Sequence, residues 1–161
     1  MSRHRNPWLL PVTVLAALLL GLLPLPGMLQ PARPYWLALV VAYWVLEAPD
    51  KAGLGLAFLT GLLADLAFGN LLGEQALRLV VMSFIIQRFR PRLRFFPVSQ
   101  QSLAIGALLV NDRVIAMAVH LSLGVQPLPW SYWLAPLLGM LLWGPVYVAL
   151  DAMRIGAWRK R

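Results

Sequence analysis

Asp65, Asp112 and Arg113 each stand deep inside long apolar runs. A charge in apolar surroundings stays ionised only beside a partner charge or hydrogen-bond donors. Glu74 and Arg78 add a second set, spaced four apart in the order that favours an ion pair on a helix surface. Asp65 lies 13 residues past Ala52, and Asp112 lies 11 past Gln101. At about 1.5 Å of rise per helical residue, the two carboxylates reach about 20 and about 17 Å along their helices. This spacing predicts one buried polar layer of Asp65, Asp112, Arg113 and Arg78. Arg113 is expected to pair with one of the carboxylates. Arg78 is the other candidate for Asp65, although Glu74 competes for it.

No other chemistry is apparent. The chain has no cysteine, which excludes disulfides, thiolate metal sites and cysteine nucleophiles. His4 and His120 are far apart in sequence, and no nucleophile–base pair, phosphate loop or zinc spacing is present. Neither an enzyme nor a bound metal or cofactor is expected.

The elements that must hold the layer follow from composition. Of 161 residues, 60% are hydrophobic and 12% charged. A soluble domain is about half apolar and about a quarter charged. Too few charges remain to cover a wet surface, so one all-α membrane domain over 1–161 is predicted. Six apolar segments lie at about 8–23, 35–48, 52–72, 74–87, 101–123 and 132–150. A signal-peptide reading of the first is opposed by Pro24, Pro26 and Gly27 and by the lack of a small-residue cleavage site. Three of the segments fall short of the roughly 20 residues that cross a bilayer, so their number is read mainly from charge.

With the N-terminus inside, eleven of the fourteen cations face the cytosol: Arg3, Arg5, Lys51, the arginines of 88–94 and the four C-terminal cations. Only Arg33 falls outside, and the C-terminus returns to the cytoplasm. Tyr35, Trp36, Trp130, Tyr132 and Trp133 mark the outer edges, with Trp8 and Trp158 at the inner ones. The net charge of +8 is explained by this retention, and no nucleic-acid partner is expected.

Ala57, Gly61, Asp65, Gly69 and Gly73 recur every four residues, along one side of a helix. Ala57, Gly61, Gly69 and Gly73 are small enough for a second helix to approach closely. Asp65 within that stripe is a hydrogen-bonding carboxylate of a packing seam, a proton, ion or ligand site, or a subunit contact. Arg88, Arg90, Arg92 and Arg94 alternate with apolar residues, and Pro91 rules out a regular helix through them. The run is expected to be an inner loop that meets lipid phosphates or docks an acidic partner. Pro136 and Pro145 suggest kinks in the last segment.

The chain resembles the bacterial rod shape-determining protein MreD family. The resemblance rests on Arg33-Pro34-x-Trp36, on Tyr43-Trp44-x-Leu46-x-x-Pro49 and on Phe58-x-x-Gly61-x-x-x-Asp65-x-x-x-Gly69-x-x-x-Gly73. Phe96-x-x-x-Gln100-Gln101 and Asp112 complete it; Arg113 after Asp112 departs from the apolar residue expected there. The resemblance implies a non-catalytic subunit of the machinery that builds the lateral peptidoglycan wall. It implies MreC as direct partner, with MreB, RodA and the elongation-specific class B penicillin-binding protein in the wider complex. It also implies a fold similar to the membrane-embedded substrate-binding subunits of energy-coupling-factor transporters. The competing reading is a small-molecule-binding transporter subunit, which needs an outward polar pocket; the short outer loops offer few polar side chains for one. A third is a proton channel through Asp65 and Asp112.

Overall fold

The computed structural model describes residues 7–159. The expectations placed on Arg3, His4, Arg5, Lys160 and Arg161, and on the side chains of Trp158 and Arg159, lie outside the described residues. Among the described residues the chain is all helical, with α1 Leu9–Leu22, α2 Trp36–Glu47, α3 Leu54–Phe68, α4 Glu74–Leu93, α5 Val98–Ser122 and α6 Leu134–Arg159. Short 3-10 turns occupy Gln30–Ala32 and Trp130–Trp133.

α2 is the axis of the bundle. Every residue from Leu37 to Ala48 is buried, as expected of a helix that is apolar all round. α1, α4 and α6 pack around it, α3 packs on α4, and α5 packs on α4 and α6. α1 is part of this core through Leu10, Val14, Ala17 and Leu18. It is also tied to α2 by Trp44, whose Nε1 donates to Thr13 Oγ1 at 2.8 Å.

The outward faces of the outer helices are apolar. Leu15 and Leu19 on α1, Phe58, Leu63 and Leu66 on α3, Leu103 and Val114 on α5, and Leu137 and Leu141 on α6 are all exposed. Apolar surface on this scale marks a membrane or a protein interface. α5 (25 residues) and the stretch Trp130–Gly156 (27 residues) are long and apolar enough to cross a membrane.

Several boundaries differ from those expected. α3 stops at Phe68 rather than near 72, because Gly69 takes a left-handed φ of 67° and its N–H bonds to the Asp65 carbonyl. α4 runs through Pro91 to Leu93, so proline does not exclude the helix there. The missing N–H leaves the Gln87 carbonyl without its helical donor, a local loss close to the helix end. Beyond Pro91, Arg94 N–H still bonds to the Arg90 carbonyl at 3.0 Å, which closes the last turn. The expected loop thus shrinks to residues 94–97. Pro136 falls in the first turn of α6, where the backbone donor is unpaired in any helix, so no kink is required of it.

Candidate functional site

The side chains that could do chemistry gather in two clusters, one at each end of the bundle. The first lies where α1 meets α2, α3 meets α4, and α5 meets α6. It holds Asp65, Asp112, Arg78 and Arg113, with pairings other than those expected.

Asp65 is 1% exposed and forms no ion pair among the described residues. Its Oδ2 accepts from Gly73 N–H at 2.7 Å and its Oδ1 from Gln75 N–H at 2.9 Å. The carboxylate therefore caps the start of α4, where four N–H groups lack helical partners and the helix dipole favours negative charge. Both carboxylate oxygens are thus engaged by backbone N–H groups of the turn into α4.

Arg78 takes Asp112. Its Nε donates to Oδ1 at 2.9 Å and its Nη2 to Oδ2, a two-pronged contact between groups that are 5% and 2% exposed. The same guanidinium keeps Glu74 at 3.4 Å through Nη1, because its five donors serve two carboxylates at once. It also lies over the Tyr35 ring, 5.0 Å from the centroid. Tyr35 O–H donates to Gln75 Oε1.

The pairing expected of Arg113 is not found. Its guanidinium rests on the Tyr132 ring, 3.9 Å from the centroid, and meets no carboxylate among the described residues. One residue along a helix is a rotation of about 100°, so Asp112 faces α4 while Arg113 turns toward the α5–α6 connection. Tyr35 and Tyr132, expected at a membrane edge, each lie beneath a guanidinium.

Beside these groups lies a cleft of about 410 Å³. Arg33, Arg78, Arg113, Glu74 and His120 line it on the charged side. The short connections were expected to offer few polar groups; the helices supply most of them instead.

The second cluster, at the opposite end, was not anticipated. Arg154 bridges Glu47 (3.1 Å) and Asp151 (2.6 Å). Tyr147 O–H donates to Glu47 at 3.0 Å and Tyr43 O–H to Asp151 at 3.2 Å, which locks α6 onto the end of α2. A signal for it was available. The chain has only six acids, and of these Asp50 alone is exposed. Glu47 and Asp151 flank apolar runs and therefore also need partners.

Of the four arginines of 88–94, Arg90 is committed internally: its Nε donates to the Leu46 carbonyl at 2.7 Å, at the C-terminus of α2. Arg88, Arg92 and Arg94 are exposed.

The four-residue stripe divides in two. Ala57 and Gly61 are buried, and a Cβ on Gly61 would stand 2.3 Å from Ala76 Cα. Gly69 and Gly73 lie beyond α3, open to space, with φ of 67° and 98°. They turn the chain rather than pack it.

Comparison with known proteins yields a profile match over residues 2–152 to rod shape-determining protein MreD. The chain is similar to a rod shape-determining protein MreD of Haemophilus influenzae, 35% identical over 138 residues, which is 86% of this chain and 85% of that protein. No solved structure matches.

Proposed function

The chain belongs to the rod shape-determining protein MreD family, a family of shape-determining structural proteins and not of enzymes, and we propose that it is a non-catalytic inner-membrane scaffold subunit of the bacterial cell-elongation complex. The observation that carries this reading is the near end-to-end extent of the family match. In this role the chain binds MreC directly and stands with MreB, RodA and the elongation-specific class B penicillin-binding protein in the wider complex. It supports lateral peptidoglycan synthesis and rod shape without chemistry of its own.

The proposed arrangement is a single domain over 1–161 with six spans and both termini in the cytoplasm. Its support is the segregation of cations in the bundle. Lys51, Arg88, Arg90, Arg92, Arg94 and Arg154 gather toward the end that carries the α2–α3 and α4–α5 connections. Arg33 lies on a connection at the other end. The cationic end is the one that stays in the cytosol. α2, with 12 residues, reaches only about 18 Å of the roughly 30 Å hydrocarbon layer. Its neighbours sheathe it, so lipid need not thin around it. The exposed apolar faces of the outer helices supply contact surface for lipid and for a partner's span. A likeness to the membrane-embedded substrate-binding subunits of energy-coupling-factor transporters belongs to the same proposal and is supported by the six α-helices among the described residues.

Depletion of the protein in its rod-shaped host tests the reading. Rods should round up, and an affinity-tagged copy should both restore rods and retain MreC on purification. Unchanged shape after depletion contradicts it. Unchanged shape with loss of a nutrient uptake would favour the transporter-subunit alternative, which the cleft makes specific enough to test.

A further inference from the structure

We propose that the cleft between the α1–α2 connection, α4 and α5 is a binding site for a phosphoryl group, carried by a lipid headgroup or by a soluble phosphate ester. The argument begins with Arg113. It is 9% exposed and lines the cleft, and its guanidinium lies over the face of Tyr132. It makes no ion pair or side-chain hydrogen bond among the described residues. A guanidinium has five donors in a planar fork, and none of them is satisfied by an aromatic face. The nitrogens of Arg113 are not sealed off by protein, so their spare donors are within reach of an acceptor in the cleft.

Two more groups point the same way. Arg33 lines the cleft from the connection and spends one donor on the Leu23 carbonyl, at 2.8 Å. His120 lines it from α5 with its Nε2 turned to Glu74, so it offsets that carboxylate and leaves the arginines to the ligand. Against these stand the acidic groups. Asp112 is occupied by Arg78 behind the wall. Glu74, the one carboxylate lining the cleft, is held by Arg78 at 3.4 Å and faces His120 Nε2 at 3.6 Å. Arg33 and Arg113 are left with positive charge and spare donors on separate elements.

A tetrahedral anion accepts from several directions at once, which suits donors that converge from a connection and from a helix. The volume of about 410 Å³ falls in the range of small-molecule sites, and Phe68, Trp36 and Ala17 give the cleft an apolar wall for the body of the ligand. The inference does not depend on the wall-synthesis role, because binding is measured on the purified chain.

The test uses full-length protein in detergent with two probes, dioleoyl phosphatidylglycerol followed by native mass spectrometry and inorganic phosphate followed by calorimetry. Dioleoylglycerol, which lacks the phosphate, is the lipid control. Arg113→Gln and Arg33→Gln should each weaken binding about tenfold or more, while Arg88→Gln, at the other end of the bundle, should not. Retention of phosphatidylglycerol but not dioleoylglycerol, with that loss, supports the site and assigns it to a lipid headgroup. Binding of inorganic phosphate alone, with the same loss, supports it and assigns a soluble ester. If Arg113→Gln does not fold, Arg33→Gln decides, since its side chain holds a single carbonyl. Absence of binding for both probes, or equal affinity in the variants and the wild type, overturns the proposal.

Discussion

At the scale of single residues, the chain separates charges that neutralise from charges that are left over. Arg78 and Asp112 neutralise each other while buried, and removal of Arg78 should cost about 3–5 kcal/mol because Asp112 is stranded, whereas removal of Asp112 leaves Arg78 with Glu74 and should cost less. The double change should therefore be milder than the sum. Thermal unfolding in detergent of Arg78→Ala, Asp112→Ala and the pair should give a coupling of about 1–3 kcal/mol. Asp65 and Arg113 do not touch, so their single changes should add; non-additivity there would mean that the pairing described above is wrong. The sequence revealed that these four groups are buried, since each lies in or at the edge of an apolar run. It did not reveal the partners. Counting residues along a helix gives depth, but partner choice depends on rotation about the axis, and adjacent Asp112 and Arg113 face different elements. Glu74 misled for a similar reason: its claim on Arg78 does not exhaust a five-donor side chain.

At the scale of elements, the α3–α4 hairpin is the most tightly determined part. Gly61 brings α3 against the backbone of α4, Gly69 ends α3, Gly73 opens α4, and the Asp65 carboxylate caps it. Gly61→Ala should destabilise by about 1–3 kcal/mol, since backbone must move to admit the methyl. Gly55→Ala, on the same helix with nothing near, should be neutral or stabilise by up to about 1 kcal/mol. Equal effects of the two on the melting midpoint would refute the close approach. The four-residue rhythm exposed this hairpin in the sequence, yet it could not say where packing gives way to turning. That boundary is set by backbone dihedrals at Gly69 and Gly73. The Pro91 helix was illegible for a related reason: a missing donor near a helix end is a smaller loss than the same defect at its centre. The Glu47–Arg154 link joins residues more than a hundred positions apart, and no local spacing encodes it.

At the scale of the whole molecule, charge asymmetry organises the account. One end of the bundle gathers the exposed arginines, and the other holds the cleft and a single connection cation. If the cationic end faces the cytosol, the cleft opens toward the periplasm, where a lipid headgroup or a soluble phosphate ester can reach it. The natural absence of cysteine makes this directly measurable. Single cysteines are placed at exposed Gln30 and Asn70 on the cleft side and at exposed Asp50 and Phe95 on the other, then treated with a membrane-impermeant maleimide on intact spheroplasts. The account predicts that Gln30→Cys and Asn70→Cys are labelled at once, and that Asp50→Cys and Phe95→Cys are labelled only after permeabilisation. Labelling of either of the latter pair in intact spheroplasts would contradict it.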